Sequence, residues 1–171
     1  MDRRMDQNKL MLNSAKDNAQ LDILVENTGR INFGPNIATE RIGILGNAYW
    51  NNKPMKGWEI YSLPMKAPES LAFSAQPCAG PCFYRATMQL AKPVDTYLDT
   101  RELHKGSVWI NGHALGRFWD IGPQGALYVP ASWLRKGPND IVIFDLDASP
   151  GRSIRGLDHP IVNFQQSQSK Q

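Results

Sequence analysis

The chain has little of what marks several large classes of protein. Its 171 residues include two cysteines and three histidines, too few for a disulfide-rich scaffold or for a convincing zinc site, which takes about four ligands. No apolar stretch approaches the roughly 20 residues of a membrane-spanning helix. Lysine and arginine form no long run, and the formal net charge is only +3. We therefore expect no metal, no cofactor, no membrane partner and no nucleic-acid partner.

Several catalytic patterns are also missing. A serine hydrolase of the common kind needs a sharp nucleophile turn such as Gly-x-Ser-x-Gly, which the chain lacks. Gly112 to Gly116 is not a phosphate-binding loop, because no helix follows it to supply amide dipoles. A TIM barrel alternates strands with helices over roughly 250 residues, and this chain has 171 residues and no such alternation.

What the sequence does contain is a series of short β-prone segments. Asn111-Gly112 is a strong hairpin signal, because both central positions of that turn need positive φ. Gly116, inside the returning strand, indicates a bulge or a close backbone approach. With almost no helical period, these segments predict an all-β antiparallel sandwich. The predicted strands cover 20–26, 41–46, 48–50, 58–63, 83–90 as a central strand, 96–99, 107–110, 115–119, 126–129, 139–147 and 161–164, with a long connection at 64–81 and one helical turn at 131–135.

Two blocks of sequence resemble one known family. The first comprises WINGHALGRFW from Trp109, LYVPASWL from Leu127 and IVIFDLD from Ile141. The second is LDILVENTGRINFG, Leu21 to Gly34. Together, in their order along the chain, they resemble the C-terminal β-domain region of the β-galactosidases of glycoside hydrolase family thirty-five. The resemblance implies a galactose-binding-domain-like jelly-roll β-sandwich, and a parent enzyme that removes terminal β-linked galactose with retention. It also implies that the catalytic glutamates lie on a barrel that this chain lacks.

The resemblance divides the chain into three parts. Residues 1–46 are interpreted as remnant strands of a preceding β-domain, residues 47–164 as the jelly-roll sandwich and residues 165–171 as a disordered tail. The parent enzyme is expected in the periplasm or outside the cell.

Carboxylates are the first candidates for chemistry. Asp145 and Asp147 are two residues apart on a predicted strand, so their side chains would share a face. A retaining glycosidase needs two carboxyl groups about 5 Å apart across the scissile bond, but acids at strand ends are mostly solvated, and we predict no catalytic residue. Glu26 and Glu40 are interpreted as structural acceptors for loop amides, or as partners of nearby arginines.

A carbohydrate-binding surface is the second candidate. Sugars place an apolar C–H face on an aromatic ring while polar side chains hold the hydroxyls, and the predicted hairpin supplies both kinds of side chain. If Phe118 packs in the core, alternation places its two neighbours outside, where they could stack as a cation–π pair and touch a sugar or a neighbouring catalytic domain. The sequence does not decide between contact with a sugar and contact with a catalytic domain. The candidate residues are Asn111, His113, Arg117 and Trp119.

Cys78 and Cys82 flank a turn, Ala-Gly-Pro. We interpret them as a small loop-closing disulfide or as two ordinary thiols, in preference to a redox or metal pair. Their redox state depends on the compartment.

The function expected from the sequence is that of a non-catalytic accessory domain of a β-galactosidase. Such a domain would support the catalytic barrel, its main expected partner, and contact galactose-containing glycans. The alternatives are an autonomous galactoside-binding module and a purely structural interaction domain. The apolar edge at 20–26 further suggests a homodimer.

Overall fold

The computed structural model describes residues 8–12, 18–27, 29, 31–66, 68–76, 78, 80–147 and 153–163. The chain divides into two compact units, Met1–Ser62 and Leu63–Gln171. The predicted tail at 165–171 lies outside the described residues, and so does Arg30, which with Arg41 is one of the arginines predicted as partners of Glu26 or Glu40. The domain limits taken from the sequence stay a prediction.

In the described part of the first unit, the strands form one small hairpin. Strand β1 (Tyr49–Trp50) pairs with β2 (Lys53–Pro54) across a turn whose two asparagines have positive φ. The strands predicted at 20–26, 41–46 and 58–63 are wrong, because these residues carry no strand in the structure. A β-prone sequence becomes a strand only where another strand hydrogen-bonds to it, and the described part of this unit offers 20–26 no such partner.

The second unit contains a four-stranded antiparallel sheet, which we call the front sheet. Its strands are β3 (Cys82–Leu90), β5 (Lys105–Ile110), β6 (His113–Trp119) and β8 (Gly137–Asp145), in the spatial order β3-β8-β5-β6. Strand β8 pairs with a neighbour on each side, as its continuous apolar run predicts. The prediction of a central strand at 83–90 is wrong, because β3 stands at the edge. The alternating sequence of β3 is typical of a half-buried strand, whether that strand lies at the centre or at the edge of a sheet.

A second antiparallel sheet, the back sheet, consists of β4 (Thr96–Asp99), β7 (Ala126–Val129) and β9 (Gly156–Leu157). The spatial order of its strands is β7-β4-β9. The sequence predicted β4 and β7 at these bounds and missed β9, whose two residues lie in a turn-rich stretch. The predicted strand at 161–164 is absent from its described residues, 161–163. Short 3₁₀ turns occupy Pro68–Ser70 and Ala131–Trp133, the second inside the predicted helical turn.

The core of the second unit is filled from both sheets. The front sheet contributes Val108, Ile110, Phe118, Ile141 and Ile143, and the back sheet contributes Leu98, Leu127 and Val129. Gly106 is required where β5 passes beneath the end of Phe118: a Cβ at this position would lie 2.6 Å from the Phe118 ring and would overlap the carbonyl oxygen of Phe144. The predicted all-β sandwich is confirmed.

The connection at 64–81 is fastened to the outer face of the front sheet by Arg85. The guanidinium of Arg85 binds both carboxylate oxygens of Asp140, at 2.7 and 3.1 Å. It also donates to the carbonyl oxygen of Glu69 and lies 5.6 Å from the centre of the Phe73 ring. The predicted long connection is confirmed, since the described residues from 64 to 81 contain one 3₁₀ turn and no strand.

Candidate functional site

The β5–β6 hairpin, which carries the predicted carbohydrate residues, has the expected turn and an irregular return strand. Asn111 and Gly112 have φ of 49° and 81°, as a two-residue turn of this kind requires. Val108 pairs with Gly116 while Trp109 pairs with Ala114, so one extra residue lies between them on β6. Gly116 has φ of 143°. The predicted bulge is confirmed.

The bulge changes which side chains share a face. Residues directly opposite on antiparallel strands point to the same side. His113 is opposite Ile110, a core residue, whereas Trp119 is opposite Lys105 on the outer face. Arg117 pairs with Ser107 and lies on the outer face as well. Because of the extra residue, His113 and the pair formed by Arg117 and Trp119 belong to opposite faces of the sheet.

The side chain of Asn111 is engaged in the structure. Its Nδ2 donates to the Trp133 carbonyl oxygen at 2.7 Å and to Asn139 Oδ1 at 2.9 Å, and its Oδ1 accepts the Asp140 backbone N–H at 3.0 Å. Asn139 is fully buried and binds both backbone groups of Arg135. The two amides therefore clamp the hairpin turn to β8 and to the 3₁₀ turn that ends at Trp133.

Sequence reasoning missed Asn139. In the sequence it directly follows a Gly-Pro pair, a position where an asparagine is ordinary, and in the structure it lies within β8. A buried amide of this kind leaves no periodic signal, because its partners come from distant parts of the chain.

The four predicted residues do not form one cluster. Beside the turn, the His113 ring stacks on Trp133, with centroids 4.8 Å apart and planes 16° apart. His113 and Trp119 stand at opposite ends of β6, roughly 20 Å apart at about 3.3 Å per residue.

The far end of β6 has its own polar surroundings. Lys105 Nζ lies 4.0 Å from the centre of the Trp119 ring, so a lysine supplies a cation–π contact there. The Asp120 carboxylate, next along the chain, binds His104 Nδ1 at 2.6 Å. Carbohydrate binding by the four predicted residues stays a prediction.

The two carboxylates considered as catalytic candidates, Asp145 and Asp147, differ in their exposure to solvent. Asp145 is fully buried and accepts the backbone N–H of Asp147 at 3.0 Å, while Asp147 is exposed. A general acid or nucleophile must reach the substrate, and a carboxyl without solvent access does not. Glu40 accepts the backbone N–H of Ile31 at 2.6 Å, the structural role expected from the sequence.

A second polar cluster, not foreseen from the sequence, centres on Asp99. This buried carboxylate forms ion pairs with Arg101 at 2.8 Å and with Arg155 at 3.1 Å. Hydrogen bonding from Arg101, the largest effect, lowers the pKa of Asp99 to about 2. Arg155 directly precedes β9, and its carbonyl oxygen accepts the Asp99 N–H. The cluster thus fixes the start of β9 against the end of β4.

The remaining candidates concern cysteines and metals. Cys78 and Cys82 are joined as a disulfide, with Cα atoms 6.3 Å apart, a separation within the usual range. In the described ranges, no three histidine, cysteine or acidic side chains lie where they could share a metal ion. None of the helical segments described is long and apolar enough to cross a membrane.

Comparison with known proteins adds two family matches, in succession along the chain. Residues 1–64 match the model of the first all-beta domain of β-galactosidase, and residues 81–139 match that of the β-galactosidase galactose-binding domain. The predicted resemblance to β-galactosidase β-domains is confirmed. These matches agree with the all-β sandwich described above and identify it as galactose-binding-domain-like.

Individual β-galactosidases are similar over most of the chain. The β-galactosidase of Xanthomonas manihotis is 40% identical over 136 residues, which cover 79% of this chain and 23% of that protein. Human β-galactosidase-1-like protein 2 is 41% identical over 73% of this chain and 21% of its own length. Bovine β-galactosidase is 34% identical over 80% of this chain and 24% of its length. The chain therefore spans about a quarter of these relatives.

Proposed function

We propose that this chain is a non-catalytic accessory part of a β-galactosidase, and that its β-domains pack on the catalytic barrel and support it. The observation that carries the proposal is the succession of two β-galactosidase domain families within a chain that spans about a quarter of its relatives. The enzyme completed in this way removes terminal β-linked galactose with retention, using carboxylates outside this chain.

The placement of the acidic side chains supports a non-catalytic role. A retaining mechanism needs two carboxyl groups that both reach the scissile bond. Of the pair considered from the sequence, Asp145 has no exposed surface. Asp147 alone does not supply the acid and the nucleophile together.

The surface of the first unit supports packing on another protein. All buried apolar residues of the described chain belong to the second unit, so the described part of the first unit buries no large apolar side chain of its own. Large apolar side chains are exposed instead, including Phe33 at 89% and Ile60 at 92%. Exposed apolar surface of this extent marks an interaction site in a folded protein.

Co-elution tests the proposal. The Xanthomonas manihotis enzyme would be prepared without the segment that matches this chain, mixed with this chain, and passed over a size-exclusion column. We expect one complex, because apolar surface is removed from water at roughly 25 cal/mol per Å². Ile60→Asp should weaken co-elution, and Lys56→Ala, at another exposed position of the same segment, should not. Separate elution at all concentrations would contradict packing on the catalytic part.

Autonomous galactoside binding is the second candidate function. It is favoured by the outer face at the far end of β6, where Arg117 is exposed and a lysine lies over Trp119. Free galactose has few contacts to offset the cost of ordering, so binding at this shallow surface should be weak. Calorimetric titration with galactose and lactose distinguishes this candidate from a purely structural domain, which would give no heat of binding.

A further inference from the structure

The turn of the β5–β6 hairpin contains the one Asn-Gly sequence of the chain, Asn111-Gly112. In such a pair the backbone nitrogen of the glycine can attack the side-chain carbonyl carbon of the asparagine, because glycine has no side chain to block the approach. A bond forms between Gly112 N and Asn111 Cγ, the Cγ–Nδ2 bond breaks, and ammonia leaves with the proton from Gly112 N. Water then opens the five-membered imide to aspartate or to isoaspartate.

In the folded chain, the side-chain amide of Asn111 is held at both of its polar atoms. Its Nδ2 donates to the Trp133 carbonyl oxygen at 2.7 Å and to Asn139 Oδ1 at 2.9 Å. Its Oδ1 accepts the backbone N–H of Asp140 at 3.0 Å. We call these three hydrogen bonds the amide clamp. Closing the imide ring needs the side chain and the turn backbone to rotate together, and the amide clamp opposes that rotation.

Backbone groups determine which way each of the two amides points. Asn139 is fully buried, and its Nδ2 donates to the carbonyl oxygens of Arg135 and Gly137. Its Oδ1 accepts the backbone N–H of Arg135. A carbonyl oxygen only accepts and a backbone N–H only donates, so reversing either amide would break these hydrogen bonds. Asn111 must therefore present its NH₂ group to two acceptor oxygens.

Aspartate at position 111 cannot restore the amide clamp. An ionised carboxylate accepts at both of its oxygens. One of them would face the Trp133 carbonyl oxygen and Asn139 Oδ1, which are acceptors as well. The Glu69 carboxylate lies beside the turn, since its Oε1 would be 3.5 Å from a Cβ on Gly112, and it adds like charge. Isoaspartate also adds one carbon atom to the main chain, which changes the geometry of the two-residue turn.

The cationic side chains linked to the turn offer the new carboxylate little compensation. Arg85 already binds both carboxylate oxygens of Asp140, and Arg135 Nε donates to a backbone carbonyl oxygen at 2.8 Å. Lys136 and His113 are exposed, so water screens any attraction to them. Loss of the amide group therefore leaves the turn without the contacts that hold it to β8.

We propose that Asn111-Gly112 is a deamidation site that the amide clamp keeps unreactive in the folded chain. Conversion of Asn111 to aspartate or isoaspartate irreversibly releases the hairpin turn from β8. The reaction needs only water, and local opening of the turn makes the site reactive without unfolding of the whole unit. The inference concerns the chain by itself and does not depend on the accessory role.

Peptide mapping by mass spectrometry, after incubation of the whole chain, measures the reaction, with the chain in urea as the comparison without the clamp. We expect deamidation of Asn111 to be about 10-fold or more slower in the folded chain, and Asn139→Ala, which removes one acceptor of the clamp, to accelerate it about 10-fold. Gly106→Ala also destabilises the second unit but leaves the clamp intact, and should accelerate deamidation much less. Equal acceleration by the two variants would show that global unfolding governs the reaction and would overturn the proposal. Should Asn139→Ala not fold, equal rates in the folded chain and in urea would overturn it as well.

Asn111→Asp reproduces the aspartate product and tests the release of the turn. We expect the backbone amide hydrogens of Arg135 and Asp140, which the two asparagines bind, to exchange with solvent about 10-fold faster than in wild type, while those of β4 keep their protection. Asn163→Asp makes the same change at an exposed asparagine that also has positive φ, 57°, and should leave exchange unchanged. Unaltered exchange at Arg135 and Asp140 in Asn111→Asp would refute the release of the turn, and so would a loss of protection spread evenly over the second unit.

Discussion

Replacing Asp99 with asparagine should make the second unit less stable in a pH-dependent way. The carboxylate is buried and accepts hydrogen bonds from Arg101 and Arg155 at 2.8–3.1 Å. Asparagine keeps the size of the side chain but removes the charge that both guanidinium groups bind. The substitution therefore tests the ion pairs more than the packing.

The pKa of Asp99 sets the size and the direction of the effect. It falls from 3.8 to about 2 in the folded protein, and one pKa unit corresponds to about 1.4 kcal/mol. The two arginines are 34% and 66% exposed, so water screens part of the interaction, and we expect about 1–2 kcal/mol. Because the folded pKa lies below the unfolded one, this stabilisation is fully present above about pH 5 and is lost as the pH falls towards about 2.

Urea unfolding followed by tryptophan fluorescence measures the effect, since Trp109 is buried in the second unit. Wild type and Asp99→Asn would be compared at several pH values between neutral and about 2. We expect the difference in unfolding free energy to shrink towards zero at the acid end. Asp158→Asn makes the same chemical change at an exposed carboxyl and should have little effect. A difference for Asp99→Asn that is equally large near pH 2, or absent at neutral pH, would show that the ion pairs of Asp99 do not stabilise the second unit.

Four further predictions concern packing, the buried amide, assembly and catalysis. Gly106→Ala should cost about 3 kcal/mol in the same unfolding assay, because its Cβ meets the Phe118 ring and the Phe144 carbonyl, whereas Gly80→Ala, with open space around it, should be nearly neutral. Asn139→Ala should cost about 2–3 kcal/mol, because its buried backbone partners lose their hydrogen bonds. The chain should self-associate through the apolar surface of its first unit, as light scattering at several concentrations would detect; a strict monomer that Ile23→Lys leaves unchanged would count against this. The isolated chain should not hydrolyse an aryl β-galactoside, and turnover that disappears on Asp145→Asn would contradict the non-catalytic role.

Local signals predicted the hairpin well. The positive φ required at Asn111 and Gly112 is a property of the turn itself, and Gly116 marked the bulge from within its own strand. Strands β4 and β7 were likewise readable from short β-prone segments between turn residues. These features depend on residues that are close in sequence, which is why one sequence is enough to predict them.

Features that depend on distant partners were not predicted. The extra residue at the bulge moves His113 to the face opposite Arg117 and Trp119. The sequence pattern does not show at which residue of the strand the alternation of faces is interrupted. The edge position of β3 and the loss of the strand at 20–26 depend on which other strands are present to pair. Asn139 and Asp99 find their partners only in the folded chain, so the clamp behind the hairpin and the ion-pair cluster left no sequence signal.

The accessory role is tested most directly by exchanging the segment within a whole enzyme. The Xanthomonas manihotis β-galactosidase would be prepared intact, with its matching segment deleted, and with that segment replaced by this chain, which shares 40% identity with it. Thermal unfolding and hydrolysis of an aryl β-galactoside would be measured for all three. We predict that deletion lowers both the midpoint temperature and the activity, and that the chimera recovers much of each. A deletion variant as stable and as active as the intact enzyme would contradict the claim that these β-domains support the catalytic barrel.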